Sequence, residues 1–136
     1  MTMTVDATVD NLGKVLAFLD ERLEAQDCPM RTQFEIDVAA EELFVNVASY
    51  AYGSGGGKVR IEVSFEENPS AVRILFADTG IPYNPLEKED PDVTLPAEKR
   101  EIGGLGIYMV KKSMDGMTYE HADGENRTTI YKRLAR

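Results

Sequence analysis

The chain has 136 residues and carries 24 acidic against 15 basic side chains, a formal net charge of −9 at pH 7. Such acidity argues against general nucleic-acid binding, because phosphate contacts need clustered Lys and Arg. No apolar run approaches the roughly 20 residues of a membrane-spanning helix. The single cysteine, Cys28, excludes an internal disulfide and fits a reducing, cytoplasmic location. The length predicts one domain over residues 1–136.

The first part of the chain predicts a short strand followed by two helices. The strand covers Thr2–Val5. An amphipathic helix follows and ends before Cys28, and its apolar stripe comprises Val9, Leu12, Leu16, Leu19 and Leu23. A second helix is predicted from about Gln33 to Tyr52, with a core face of Ile36, Ala40, Leu43, Val47 and Ala51. The glycine-rich residues 53–57 end this helix.

The remainder of the chain predicts a sheet and one more helix. Lys58–Phe65 alternates apolar and polar residues, as an antiparallel strand covered on one face does, and Val72–Asp78 is its return strand. A helix near Leu105–Met114 precedes strands near Met117–His121 and Thr128–Leu134, joined by a turn at residues 124–126. This order predicts an α+β, two-layer sandwich with a mixed, mostly antiparallel sheet and helices on one face. The aperiodic stretch from about Asn84 to Ile102 is predicted to be a functional loop.

Glu42 and Asn46 form the first candidate motif. Residues four apart on a helix share a face, with Cβ atoms about 5–6 Å apart. The side-chain carbonyl of Asn46 is a suitable ligand for a hard cation, and the carboxylate of Glu42 can accept a proton from an attacking hydroxyl. Taken alone, the pair is better explained by a helix that carries two solvated acids and one asparagine.

Asp78 is the second candidate. It shares strand parity with Ile74 and Phe76, so its side chain is predicted to face the covered side of the sheet. A buried carboxylate needs a partner: either a local backbone donor, or a ligand amine such as the exocyclic amino group of adenine. Gly80 permits close backbone approach and Pro82 stiffens the exit, although an ordinary turn that closes a strand is an equal alternative.

The third candidate is the glycine cluster Gly103, Gly104 and Gly106, which surrounds Leu105 at a predicted helix start. Glycines at such a position let unpaired backbone N–H groups approach phosphates, and the helix dipole favours negative charge there. A flexible hinge before an ordinary helix is the alternative.

In this order the motifs resemble those of the Bergerat-fold (GHKL) ATPases, a superfamily of sensor histidine kinases, gyrases and heat-shock chaperones, and within it the anti-sigma-factor serine/threonine kinases. The resemblance is carried by AAEELFVNVASYAYG, DTGIPYNP, GGLGIYMVKKSMD and NRTTIYKRL. It implies ATP and Mg²⁺ as cofactors. The catalytic residues that it implies are Glu42 and Arg100, and the cofactor-binding residues are Asn46, Asp78, Gly80, Pro82, Gly103, Gly104, Leu105, Gly106 and Thr128.

Within that set the resemblance gives each residue a role. Glu42 matches the general base, Asn46 the Mg²⁺ ligand and Asp78 the carboxylate that reads adenine. Thr128 matches a last-strand threonine near adenine, and residues 84–102 would form a lid over the triphosphate. One departure concerns Arg100, the basic residue nearest the glycine cluster, because Glu101 and Ile102 separate the two. Asn84 also stands where Asp is common, and no helix in the chain carries a phosphoacceptor histidine.

The activity that the resemblance implies is a cytoplasmic serine/threonine-protein kinase of the anti-sigma regulatory type. It would transfer the γ-phosphoryl of Mg·ATP to a Ser or Thr of a STAS-domain anti-sigma antagonist. A sigma factor and a second copy of the chain are further partners that it implies, whereas nucleic acid and membranes are not. A non-catalytic, nucleotide-gated protein-binding module is the alternative. A weaker one is an ATPase fragment of a larger signalling kinase, against which the start and compact length of the chain argue.

Overall fold

Three helices pack on one face of a five-stranded sheet in the part of the chain that the computed structural model describes, residues 1–52, 55–87 and 105–134. The helices are α1 (Leu12–Ala25), α2 (Met30–Tyr50) and α3 (Leu105–Ser113). The strands are β1 (Thr2–Asp6), β2 (Lys58–Glu66), β3 (Ala71–Asp78), β4 (Gly116–Ala122) and β5 (Glu125–Arg133). Short 3₁₀ turns occupy Val9–Asn11 and Pro85–Glu87.

The sheet has the strand order β1-β2-β3-β5-β4. Its four described pairings are all antiparallel, so the predicted two-layer α+β fold is confirmed, while the sheet is antiparallel throughout rather than mixed. The β3–β5 register sets Asp78 directly opposite Asn126 and Phe76 opposite Thr128. The ends of these two central strands therefore bring polar side chains together beneath α2.

The two faces of the sheet differ as the alternation in β2 predicts. On the inner face Val59, Ile61 and Val63 are buried against the helices. On the outer face the Arg60 guanidinium donates to Glu125 at 2.5 Å, bridging from β2 to β5 across the intervening strand β3. The hydrogen bonds from Arg60, and then from Arg127, hold the pKa of the Glu125 carboxyl below its usual value.

The helices differ from the sequence-based prediction at their starts and in the width of their buried faces. Val9 lies in a 3₁₀ turn before α1 and is 57% exposed, so it does not belong to the apolar stripe. Helix α2 begins at Met30, directly after Pro29, rather than at Gln33. It also buries Phe44, which the predicted core face omitted. Because α2 packs against α1, α3 and the sheet, it buries a broader arc than a helix that touches one layer.

A group of carboxyls lies between α1 and the first turns of α2. The Gln33 amide donates to Asp20 and Glu24, both at 3.1 Å. Beside them one carboxyl oxygen of Asp37 is buried and has no described hydrogen-bond partner. Burial, a hydrogen bond to Asp20 and the negative charges of Asp20 and Glu24 raise the pKa of Asp37 to about 8. At neutral pH this carboxyl is therefore mostly protonated.

The predicted functional loop from Asn84 to Ile102 is described only as far as Glu87. Its first residues form the 3₁₀ turn Pro85–Glu87, in which Pro85 is buried. The rest of the predicted lid lies outside the described residues and stays a prediction. Within the described ranges, no helix has both the length and the hydropathy to cross a membrane.

Candidate functional site

A narrow cleft lies between the C-terminal half of α2 and the ends of β3 and β5. The cavity there is about 20 Å³, room for about one water molecule. Helix α2 and the residue after it supply one wall, the ends of β3 and β5 supply the floor, and the segment after β3 supplies the outer wall. The residues that line it are Asn46, Val47, Tyr50, Ala51, Asp78, Ile81, Tyr83, Pro85, Asn126 and Thr128.

Asp78 ends β3 with its side chain turned inward, and only 6% of the residue is exposed. The predicted parity is therefore confirmed. Its Oδ1 atom accepts hydrogen bonds from the Gly80 backbone N–H and from Asn126 Nδ2, both at 2.9 Å. Among the described residues no donor reaches Oδ2. The local turn thus satisfies one oxygen of a nearly buried carboxylate and leaves the other to accept from a ligand.

Gly80 brings the turn after β3 against the end of α2. A Cβ built on Gly80 would lie 2.0 Å from the carbonyl oxygen of Ala51. The next residue, Ile81, donates its backbone N–H to that same oxygen at 2.7 Å. Only a residue without a side chain permits this approach, which fixes the distance between Asp78 and the cleft wall formed by α2.

Asn126 is the central polar residue of the site, and the sequence analysis missed it. It was assigned to a turn at residues 124–126, but β5 begins at Glu125 and the residue is only 4% exposed. Besides Asp78, its Nδ2 donates to the Ile81 carbonyl at 3.0 Å, and its Oδ1 accepts from the Tyr83 N–H at 3.2 Å. The signal that could have found it is its strand parity with Thr128 and Ile130.

Glu42 lies one helical turn before Asn46 and faces the start of α3. Its Oε2 atom occupies the space that a side chain on Gly106 would need, 2.1 Å from the built Cβ. Negative charge is favourable at a helix N-terminus, where backbone N–H groups lack partners. Glu42 therefore lies against the first turn of α3 at Gly106, the one glycine of the predicted cluster that is among the described residues.

The remaining predicted site residues either lie outside the described residues or do not line the cleft. Arg100, Gly103 and Gly104 lie outside the described residues, as does the side chain of Leu105. Pro82 is exposed and borders a separate, open hollow that Tyr119 and His121 also line. The site that the structure describes therefore comprises Asn46, Asp78 and Thr128, with Gly80 behind it and the Glu42–Gly106 contact beside it.

Comparison with known proteins identifies the family. A family model described as the histidine kinase-like ATPase domain matches residues 5–132. The chain belongs to this family. Its membership agrees with the expected GHKL relationship and with the position of the cleft between helix and sheet. The cleft residues are therefore residues of an ATPase domain.

Two curated relatives are named as kinases. The serine/threonine-protein kinase BtrW of Bordetella bronchiseptica is 22% identical over 129 residues, which cover 95% of this chain and 90% of that protein. The serine-protein kinase RsbW of Bacillus thuringiensis is 29% identical over 94 residues, 66% of this chain and 58% of that protein. The RsbW match thus spans little more than half of its relative.

Solved structures share the fold at low sequence identity. The RsbU and RsbW domains of a Mycobacterium tuberculosis protein superpose with a TM-score of 0.70 at 18% identity, covering 100% of this chain and 33% of that one. The histidine kinase domain of a blue-light-activated histidine kinase from Erythrobacter litoralis superposes with a TM-score of 0.58 at 15% identity, covering 96% of this chain and 62% of that one. At these identities the comparison supports the fold and nothing finer.

The residues present fit the base of an adenine nucleotide, with one adjustment. Asp78 Oδ2, at the floor of the cleft, accepts from no donor within residues 1–52, 55–87 and 105–134, and such an acceptor suits an exocyclic amine. The cavity of about 20 Å³ must widen to admit a purine. The side chains of Ile81 and Tyr83 on the outer wall are 64% and 40% exposed, so little packing is lost when they move.

A magnesium ion would need more ligands than the described protein supplies. No group of three or more His, Cys, Asp or Glu side chains within residues 1–52, 55–87 and 105–134 could hold a metal. Mg²⁺ is usually bound by one or two protein oxygens together with phosphates and water. Asn46 can supply one such oxygen, so the donor set fits a metal that arrives with a nucleotide.

Proposed function

We propose that the protein is an ATP- and Mg²⁺-dependent serine/threonine protein kinase of the anti-sigma regulatory type. Its substrate would be a Ser or Thr of a STAS-domain antagonist. Membership of an ATPase domain family and the kinase names of two relatives support this proposal. The observation that carries it is the meeting of Asn46, Asp78 and Thr128, from three separate elements, in one cleft. There, one carboxylate oxygen of Asp78 accepts from no donor among the described residues.

In this proposal Asp78 binds the base through Oδ2, and Thr128 contacts it from the neighbouring strand. Gly80 keeps the turn close to α2, so that the base is held between backbone and helix. Asn46 would hold Mg²⁺ through its side-chain oxygen. The metal, when bound, supplies positive charge that offsets the charge of the phosphates.

Glu42 would act as the general base. Its carboxylate accepts the proton of the partner's hydroxyl while that oxygen forms a bond to the γ-phosphorus. The bond between the γ-phosphorus and the β,γ-bridging oxygen breaks, and the electron pair leaves with ADP. Arg100, Gly103 and Gly104 are proposed for the phosphate side, as the resemblance implies. A partner sigma factor and a homodimer belong to the same proposal.

A non-catalytic, nucleotide-gated binding module is the second candidate, and one observation favours it. The Glu42 carboxylate is packed against Gly106 and does not belong to the wall of the cleft that the structure describes. If it stays there when nucleotide is bound, the protein would present a nucleotide-dependent surface without transferring a phosphoryl group.

Calorimetric titration with ATP, with and without Mg²⁺, tests the binding site. Asp78→Asn replaces the free acceptor with an amide and is expected to weaken Mg·ATP binding at least about tenfold, since hydrogen bonds to charged groups contribute about 1.5–3 kcal/mol. Asp123→Asn is the matched control, because its side chain is 87% exposed and does not line the cleft. Equal affinities of the two variants would contradict the assignment of Asp78.

Transfer of label from γ-labelled ATP to a purified STAS-domain protein separates the two candidate functions. Glu42→Ala is expected to abolish labelling and to leave ATP binding largely intact. Its matched control is Glu41→Ala, which removes the exposed neighbouring acid. Nucleotide-dependent binding of the STAS domain without any labelling would favour the non-catalytic module instead.

A further inference from the structure

We propose that Asn126 is a positioning residue that holds Asp78 so that one carboxylate oxygen is free to accept a hydrogen bond from a ligand. The cleft then selects a purine with an exocyclic amine at its 6-position over a purine with a carbonyl there. This inference rests on the proposed nucleotide-binding function and deepens it. Asn126 begins the motif NRTTIYKRL, but the resemblance gives it no role, and the role proposed here follows from the contacts of its amide.

The first step is the direct pairing of the two side chains. Asn126 and Asp78 lie opposite each other in the β3–β5 register and are 4% and 6% exposed. Nδ2 of Asn126 is 2.9 Å from Oδ1 of Asp78. The Asn126 amide therefore donates directly to Asp78 and adds no charge of its own.

The second step is the orientation of the amide. Asn126 Nδ2 also donates to the carbonyls of Ile81 at 3.0 Å and Gly80 at 3.4 Å. On the other side of the amide, Oδ1 accepts from the Tyr83 N–H and from the Tyr119 hydroxyl. A rotated amide would place its oxygen against three acceptors and its NH₂ against the Tyr83 N–H. Only one orientation satisfies every buried group, so the donor toward Asp78 is fixed.

The third step concerns the two oxygens of Asp78. Oδ1 already accepts from Asn126 and from the Gly80 backbone, while Oδ2 has no donor among the described residues. A ligand therefore meets a pure acceptor. An amino group at the 6-position of a purine donates to it, whereas a 6-oxo group sets oxygen against carboxylate. A polar site of this kind rejects a ligand that leaves its buried group unpaired.

The test is the ratio of the dissociation constants of ATP and inosine triphosphate, measured with Mg²⁺ by calorimetry at pH 8. Asn126→Asp replaces the donating nitrogen with an oxygen and keeps the size of the side chain. Two carboxylates at this distance must share a proton, and the Asp78 oxygens lose their fixed roles. Tyr119→Phe is the matched control, because it removes a hydrogen bond to the same amide and leaves the donor to Asp78 in place.

The wild type is expected to prefer ATP by about tenfold or more. The Asn126→Asp variant should lose most of its affinity for ATP and little for inosine triphosphate, so that its ratio approaches one, while Tyr119→Phe keeps the wild-type ratio. If the aspartate variant does not fold, Asn126→Ala, which removes the donor but adds no second carboxylate, is expected to lower the ratio in the same direction by a smaller factor. Equal weakening of both nucleotides would assign Asn126 a merely structural role and overturn the inference. Binding of neither nucleotide by the wild type would instead defeat the proposed function, and the inference with it.

Discussion

Replacing Gly80 with alanine tests the close contact between the turn after β3 and the end of α2. The added Cβ would lie 2.0 Å from the carbonyl oxygen of Ala51 and 2.5 Å from its carbonyl carbon. Both atoms are backbone, so no side-chain rotation relieves the overlap. Because ordinary contacts to a Cβ begin at about 3.4 Å, turn and helix must separate by about 1 Å or more.

Gly80→Ala is expected to lower the free energy of unfolding for two reasons. Overpacking at a fixed backbone costs about 1–3 kcal/mol. Separation also stretches the hydrogen bond from the Ile81 N–H to Ala51, now 2.7 Å long, and a typical intramolecular hydrogen bond contributes about 1 kcal/mol. Gly80→Ala should therefore lower the free energy of unfolding by about 2–4 kcal/mol.

Gly13→Ala is the matched control. A Cβ at Gly13 meets nothing within 4 Å, and the residue lies inside α1. Alanine there should raise the free energy of unfolding by about 0.5–1 kcal/mol, because it restricts the unfolded chain and favours the helix.

Urea denaturation followed by far-UV circular dichroism measures both changes, and suits a chain without tryptophan. Mg·ATP binding should weaken only in Gly80→Ala, since the displaced turn directly follows Asp78 and donates to its carboxylate through the Gly80 N–H. A Gly80→Ala protein within about 0.5 kcal/mol of the wild type would refute the reasoning, because the contact would then be easily relaxed.

Two further predictions concern carboxyl groups. Asp37 has a pKa of about 8 in the fold against 3.8 as its ordinary value, so the folded protein binds more protons between these values and loses stability as pH rises from about 4 to 8. Asp37→Asn cannot ionise, so its free energy of unfolding should equal that of the wild type near pH 4. At pH 8 it should exceed that of the wild type by about 1–2 kcal/mol once solvent screening is allowed for. Urea titrations at the two pH values check this, and equal stability at pH 8 would contradict it. Gly106→Ala places a methyl group where Glu42 Oε2 now lies, and the flexible Glu42 side chain can move away from it. The variant should therefore fold, while γ-phosphoryl transfer to the STAS-domain protein falls at least about tenfold. Unchanged transfer would show that the Glu42–Gly106 contact is irrelevant to the reaction.

The features predicted well from the sequence are those that depend on local periodicity. Alternation along Lys58–Phe65 identified β2 and its buried face, because a strand covered on one side must alternate. The same parity argument placed Asp78 inward, as the structure has it. The layered α+β fold followed from the order of the elements, since amphipathic helices and a one-sided sheet bury their apolar faces against each other.

What the sequence could not predict depends on contacts between distant segments. Gly, Glu and Asn in succession favour a turn, yet Asn126 lies in β5 because Asp78 and the backbone after β3 supply partners for its amide. The fit of Gly80 against Ala51 and of Gly106 against Glu42 likewise needs two elements that are remote in the chain. Phe44 was omitted from the core because a single helical wheel does not reveal that α2 has neighbours on both sides.

Glu125 and Asn126, adjacent at the start of β5, lie on opposite faces of the sheet and have different hydrogen-bond partners. Glu125 accepts from Arg60 on the outer face, and Asn126 donates to Asp78 on the inner face. A slip of β5 by one residue would exchange them, setting a carboxylate against the carboxylate of Asp78 and leaving the arginine opposite an amide. Misaligned pairing is therefore penalised on both faces at once, so the strand alignment that assembles the cleft is also the one that charge and hydrogen bonding enforce as the sheet forms.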